Sequence, residues 1–244
     1  MVCAFRFGSV FIAASALFAG SALAGGFSIR EQSAEGQGSS FAGIAAGTNG
    51  LSSMYWNPAT MAQHSGNGLM SDGNFSLIVP ESSADDGGPA PGVVLPGLGA
   101  SGDVGRAAIV PASYWLYGVN DQLTVGASLN APLGLTTNAD NWYGSPHGDK
   151  SSMRTYTFTP SAAFRLNDFL SIGAGVQLEY MTVDINSRTP AGIEFFAADG
   201  DDFDVGFTAG VLFEPTDTTD IGIGFRSSVN HNLKGNGFVA GLFN

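Results

Sequence analysis

The sequence predicts an all-β fold: a transmembrane antiparallel β-barrel preceded by a compact lumenal hatch of short helices. Three observations predict it. The chain opens with an export signal, its composition is apolar and poor in charge without a spanning helix, and most of its length alternates apolar and polar residues with period two.

Residues 1–24, MVCAFRFGSVFIAASALFAGSALA, carry one positive charge at Arg6, an apolar core from Phe7 to about Ala19, and Ala22-Leu23-Ala24 before Gly25. This is the pattern of a secretory signal peptide with an A-x-A cleavage site. Its apolar core is shorter than the roughly 20 residues that a membrane span requires. Cleavage removes Cys3, the only cysteine, and Arg6, taking the formal charge from -12 to -13 because residues 1–24 contain no acid. The mature chain is then thiol-free, which excludes disulfides and cysteine-type metal clusters.

Charged residues make up 12% of the chain, against the usual quarter, and Gly accounts for 35 of 244 residues. The 21 acids against 9 bases argue against a nucleic-acid partner, whose phosphates demand a basic surface. No apolar run after residue 24 is long enough for a membrane helix. An exported, apolar chain without such helices has one membrane solution, a closed barrel in which every backbone group is paired.

Seven strands are expected, at about 68–79, 107–118, 123–131, 155–166, 171–180, 203–213 and 221–234. In the third, Leu123, Val125, Ala127 and Leu129 alternate with Thr124, Gly126, Ser128 and Asn130. In the fourth, Tyr156, Phe158, Phe164 and Leu166 alternate with threonines, Ser161 and Arg165. The fifth alternates Ile172 to Tyr180 with Ser171 to Glu179 and changes phase at Met181, the mark of a bulge or of the end of the lipid-facing zone. The sixth presents Phe203, Val205, Phe207, Val211 and Phe213, and the seventh Ile221, Ile223, Phe225, Val229 and Leu233, opposite Arg226 and Lys234. A soluble sandwich has the same period with the apolar face turned inward, so periodicity alone leaves both open.

Connection lengths favour the barrel. Val119-Asn120-Asp121, Leu166-Asn167-Asp168 and Glu214 to Asp220 are short, whereas 80–105, 136–150 and 187–202 are long and polar. Outer-membrane barrels have short periplasmic turns and long external loops. Trp115, Tyr117, Phe164, Phe169 and Phe213 gather near the short turns, as a periplasmic aromatic girdle would. Single-chain barrels have an even strand number, so seven strands read as an amino-terminal half, apparently truncated or completed by another polypeptide.

Residues 25–66 do not alternate and form the expected hatch; 67–244 form the barrel portion. Within the hatch, Pro58 pushes Asn57 out of helical geometry, and an Asn side chain there closes a turn on its own backbone, so Trp56-Asn57-Pro58-Ala59 reads as a fixed corner or a helix start.

Gly25-Gly26-Phe27, the SAEGQGSSFAGIAAG run and YWNPA at 55–59 closely resemble the hatch of the FadL/TodX family of outer-membrane transporters. The resemblance continues through Ala131-Pro132-Leu133-Gly134-Leu135-Thr136-Thr137, Trp142-Tyr143-Gly144 and TPSAAFRLNDFLSIGAG at 159–175, covering nearly all of 25–235. It implies a fourteen-stranded barrel, monomeric once complete, that takes up long-chain fatty acids or similar hydrophobic compounds in the Gram-negative outer membrane. It further implies external capture, transfer past the hatch and lateral exit into membrane lipid where the third strand kinks. Pro132 and Gly134 match that kink; Pro lacks the ladder N–H and Gly permits a bulge, although residue by residue the strand simply ending at 131 fits equally.

Candidate ligand-binding residues are Phe27 and Ile29 at the mature amino terminus and the apolar patch Ile193, Phe195 and Phe196, with Phe238, Val239, Leu242 and Phe243 as its counterpart. Fatty-acid members place basic residues on the fifth strand, where this chain has Met181, Thr182, Val183 and Asp184. Arg165, Arg226 and Lys234 are the remaining inner candidates for a carboxylate, with Arg188 facing solvent, and a neutral hydrocarbon ligand gains weight. No catalytic residue, metal site or cofactor is expected: there is no G-x-S-x-G elbow, and His64, His147 and His231 lack partners or ligand spacing. The competing function is a generic porin or adhesin barrel, which has no need of a hatch.

Overall fold

The computed structural model describes residues 27–83, 101–139, 148–189 and 193–240. The expected signal peptide with Cys3, Gly25-Gly26, Trp142-Tyr143-Gly144, His147, Leu242 and Phe243 lie outside the described residues.

Ahead of the sheet lie a five-residue helix α1 (Ala34–Gly38) and three 3-10 turns, η1 (Ile44–Ala46), η2 (Gly50–Tyr55) and η3 (Pro58–His64). No helix among the described residues is long and apolar enough to cross a membrane. Among the described residues nine strands follow: β1 (Leu69–Ile78), β2 (Ala108–Gly118), β3 (Leu123–Asn130), β4 (Gly134–Asn138), β5 (Lys150–Asn167), β6 (Leu170–Arg188), β7 (Glu194–Thr216), β8 (Thr219–Arg226) and β9 (Lys234–Val239). All pair antiparallel in one sheet ordered β1-β2-β3-β5-β6-β7-β8, with β4 on β5 and β9 on β7. β3 and β4 are two pieces of one interrupted strand, as are β8 and β9, so the described residues make seven crossings of a curled half-barrel wall.

Burial decides between membrane barrel and soluble sandwich. Phe158, Ile172, Val205, Phe207 and Ile223 are exposed, while Thr124, Ser128, Thr157, Ser171 and Thr208, on the opposite face of the wall, are buried. Polar residues inside and apolar residues outside are the reverse of a soluble sandwich, and the sandwich alternative falls. The girdle residues Trp115, Tyr117, Phe164, Phe169 and Phe213 are exposed at the short-turn end, where Asn120 Oδ1 accepts from Gln122 N and Leu123 N at 2.9 and 2.8 Å.

Two expectations need correction, and one pair of alternatives narrows. β6 pairs with β7 in unbroken register as far as Ser187, so of the two readings of the phase change at Met181 the bulge falls. The expected loop 187–202 is mostly strand: β6 runs to Arg188 and β7 starts at Glu194. Above the bilayer both faces meet water, and the period-two signal that reveals a strand disappears. Finally, the seventh strand breaks between Arg226 and Lys234. Its detour turns inward, where a Cβ on Gly206 would meet Val229 Cγ2 at 2.9 Å, and His231 bridges Glu179 (3.1 Å) and Asp202 (3.2 Å). Val229 therefore does not face lipid. Lys234 lies in register with Asp201, on the outward phase of Phe203, and is not an inner candidate for a carboxylate.

Candidate functional site: a wall cleft closed by the hatch

The hatch sits on a bed of inward-facing glycines. A Cβ on Gly173, Gly222 or Gly224 would overlap the backbone of Ala59, Ala45 or Trp56 respectively, and one on Gly210 the Asn57 side chain, so only glycine lets the hatch lie this close to the wall. Asn57 caps η3 by accepting from Ala59 N at 3.0 Å, with Pro58 in the first turn. Its amide donates to Ala45 O (2.7 Å) within the hatch and to Val211 O (3.0 Å) on β7. Trp56, beside it, packs on Phe41 and Tyr55 at ring distances of 5.3 and 4.8 Å. Leu51, Met54, Met61 and Ala62 bury themselves against Ala112, Tyr114 and Leu116 of β2. β2 is thus apolar on both faces, which is why its alternation is weak in the sequence.

The wall has a hole. β2 pairs with β3 only as far as Ser113↔Leu129, and pairing beyond resumes through the bonds Asn138 N to Val104 O (2.9 Å) and Arg106 N to Thr136 O (3.3 Å). Between these ends, residues 132 and 134 turn to the hatch instead: Ile29 N donates to Pro132 O and Gly134 N to Phe27 O, both at 2.9 Å, around a Ser28↔Leu133 bridge, while Leu133 keeps its bonds to Thr155 of β5. A backbone group in a membrane wall must be paired somewhere, and here the hatch supplies the partner that β2 does not. Val119 N donates to Leu123 O, so odd-numbered residues of β2 turn their backbone groups toward β3. Pro111 and Pro132 stand on the two rims, each lacking the N–H that the hole would leave unpaired.

A cleft of about 400 Å³ occupies the hole, lined by Ile109, Pro111, Ala131, Leu133, Leu135 and Tyr156 among others. On the lumen side a second cavity of about 390 Å³ is lined by Phe41, Tyr55, Trp56, Arg30 and Arg226. Ile29 lines both. A Cβ on Gly134 would come within 2.7 Å of Ile29 Cδ1, so Gly134 makes room for that side chain.

Behind Ile29 a buried polar latch ties hatch to wall. Tyr114 Oη donates to Gln32 O, Asn130 Nδ2 donates to Gln32 Oε1 (3.1 Å) and to Tyr114 Oη (2.9 Å), and Gln32 Nε2 donates to Ala131 O (2.9 Å). At the outer end of the hole, the loop carboxylate of Asp103 accepts from Ser82 N and Gly105 N, and these bonds hold its carboxyl below the usual range.

The structure therefore brings Phe27, Ile29, Pro132 and Gly134 together; of the Trp56-Asn57-Pro58-Ala59 corner, Trp56 shares the lumen cavity with Ile29, while Asn57 and Ala59 are buried against the inner wall. Ile193, Phe195 and Phe196 lie elsewhere, at the start of β7, where Phe196 pairs with Val239 and Ala197 with Phe238. Of the basic candidates, Arg165 is committed to Ala62 O (2.7 Å) under the hatch, and Arg188 pairs with Asp149 (3.2 Å). Arg226 lines the lumen cavity, with Nη1 donating to Tyr55 O at 3.0 Å and its guanidinium 4.1 Å above the Tyr55 ring. The latch residues Gln32, Tyr114 and Asn130 escape sequence reading, because each is an ordinary inward or loop position until the hatch docks. The signal for the glycine bed was present, as glycines at inward positions where Ser or Thr fits the alternation.

A hatch seated against a curled antiparallel wall, with a lumen cavity and a partly apolar cleft in the wall, defines a class: outer-membrane β-barrel proteins with a lumenal hatch. The chain belongs to the outer membrane protein transport protein family (OMPP1/FadL/TodX), whose model matches residues 15–242. Members are transporters of the Gram-negative outer membrane. It is 29% identical to the 47 kDa outer membrane protein of Pasteurella multocida over 91% of this chain and 54% of that one. It is 25% identical to the long-chain fatty acid transport protein of Escherichia coli O6:H1 over 93% of this chain and 55% of that one. The fold matches the crystal structure of a Pseudomonas aeruginosa FadL homologue with TM-score 0.67 and 22% identity, over 85% of this chain and 54% of that one. The chain spans about half the length of the curated relatives it matches.

Proposed function

We propose that this protein passes long-chain fatty acids or similar hydrophobic compounds from the lumen cavity into the bilayer through the wall cleft, with the first hatch residues as the inner door. The observation that carries the reading is Ile29, which lines both cavities while its backbone bonds to Pro132. Displacing Phe27–Ile29 frees Pro132 O and Gly134 N and joins the two spaces. Lateral release suits an oily cargo, since each CH₂ kept from water is worth about 0.8 kcal/mol and a watery pore forfeits that. The exposed surface at Ile193, Phe195 and Phe196, extended by Phe238, serves as external capture patch. Arg226 and Arg30 at the lumen cavity offer guanidiniums to a carboxylate, while the aromatic lining accepts a neutral hydrocarbon equally well.

Replacing Pro132 and Gly134 by Val in the product of the complete gene tests this. Restored ladder N–H and bulk at 134 close the cleft, so uptake of a labelled fatty acid falls while membrane insertion persists. Unchanged uptake counts against lateral exit.

A further inference from the structure

The hatch holds two residues in a backbone conformation that ordinary side chains avoid. Among the described residues, Ser40 (φ 54°) and Phe41 (φ 60°) are the non-glycine residues with positive φ. A Cβ in the left-handed region crowds the following carbonyl oxygen, and for a side chain as bulky as phenylalanine the position is an outlier. Elsewhere in the hatch the same region is filled by Gly43, Gly47 and Gly50. The strained pair is consecutive, and both residues line the lumen cavity.

The strain is built in by the end of α1. Phe41 N donates to Gly36 O (2.6 Å) and Ser40 N to Gln37 O (3.1 Å), the crossed pair of bonds that closes a helix and in which glycine ordinarily takes the left-handed place. Bonds on either side fix the turn: Asn49 Nδ2 donates to Ser39 Oγ (2.9 Å) and Thr48 Oγ1 to Ala42 O (2.8 Å). The turn places one ring. Phe41 lies over Gly36, where a Cβ would come within 2.9 Å of it, and against Trp56 at 5.3 Å between ring centres. An oily molecule entering the cavity meets this ring on Trp56 and competes with it for the same aromatic surface.

We infer that Phe41 is the cargo-responsive part of the hatch: its ring is held over the lumen cavity by the strained Ser40-Phe41 turn, and seated cargo displaces the ring and lets the turn relax. Strain present in the empty protein and absent from the loaded one adds to cargo affinity, because a ligand shifts a conformation only through what differs between the two states. α1 is five residues long, and its N-cap Ser33 directly follows the latch residue Gln32. Relaxation at its far end therefore reaches the inner door. The inference rests on the reading that hydrophobic cargo occupies the lumen cavity, and it holds whichever exit that cargo takes.

Two measurements on the complete protein in detergent test it, with a fluorescent long-chain fatty acid as the probe. Ser40→Gly removes the strain at one position and leaves the ring, so the empty form is stabilised and the probe binds about fivefold more weakly. Ala42→Gly, beside the pair but without a positive φ, leaves the affinity unchanged. Hydrogen exchange of segment 36–42 is the second measurement. Adding probe to wild type lowers the protection of the Ser40 and Phe41 amides, because their bonds to α1 break. In Phe41→Ala the strained backbone stays but no ring is left to displace, and the probe no longer changes this exchange. Equal or tighter binding by Ser40→Gly overturns the proposal and leaves Phe41 a fixed wall of the cavity, as does protection of 36–42 that rises with probe. A loss in Ala42→Gly as large as in Ser40→Gly marks a loosened loop and overturns it too, and so does exchange in Phe41→Ala that still responds. A wild type that binds no probe removes the cargo reading itself, whereas normal binding with an unresponsive 36–42 segment removes the role of Phe41 alone.

Discussion

Asn57→Ala removes the joint between hatch and wall. The side chain is fully buried, at 0% exposure, and makes three bonds: it accepts from Ala59 N and donates to Ala45 O and Val211 O. Losing the cap costs about 1 kcal/mol. Stranding two buried carbonyls adds about 1–3 kcal/mol each, for a total of roughly 3–7 kcal/mol. Alanine restores none of these bonds, and no water reaches so enclosed a position without moving η3. At about 1.4 kcal/mol per factor of ten, the hatch opens at least a hundred-fold more often. Hydrogen exchange read by mass spectrometry on the complete protein in detergent measures this as lost protection of the η3 amides, with β5–β7 still protected. The exposed Asn67→Ala, on the same connection, is the control and stays within about 0.5 kcal/mol of wild type. Protection of η3 changed by less than tenfold in Asn57→Ala refutes the view that this residue fastens the hatch.

Two further substitutions probe the inner door. Tyr114→Phe deletes the hydroxyl that donates to Gln32 O and accepts from Asn130, so amides Ser28–Gln32 exchange about tenfold faster while thermal unfolding of the barrel moves little; unaltered exchange removes the latch from the account. Phe27→Ala weakens binding of a fluorescent fatty acid in the complete protein several-fold, and equal affinity takes this residue out of the ligand's path.

Much of the wall was legible because lipid on one side and a polar lumen on the other impose strict alternation, as in Tyr156 to Leu166 and Phe203 to Phe213. Legibility ended where that contrast ended. Above Tyr180 both faces of β6 and β7 meet water, so strand read as loop. On β2 the inner face packs on Met54 and Met61 and is apolar too, so the alternation blurred. Local chemistry carried some of the site: a proline and a glycine three and five residues past Leu129 pointed to an interrupted strand because neither suits a central ladder. That the interruption pairs with residues 27–29 was not legible, since nothing local in Phe27-Ser28-Ile29 names a partner a hundred residues away. The same holds for the inward detour after Arg226, where Val229 keeps the spacing of a lipid-facing residue but follows one extra residue in the strand.

The account joins these pieces through one exchange of partners, in which residues 132 and 134 turn to the hatch instead of β2 and a hole remains in the wall. Filling that hole is therefore the most direct measurement. Tryptophan at Ala108 and at Ala131, on opposite rims of the cleft, occupies it while leaving the hatch corner and the lumen cavity in place. Proteoliposomes carrying the complete protein then report uptake of a labelled long-chain fatty acid. The account predicts uptake reduced at least tenfold with normal membrane insertion and normal ligand binding in the lumen. Uptake at the wild-type rate through the filled wall would contradict it.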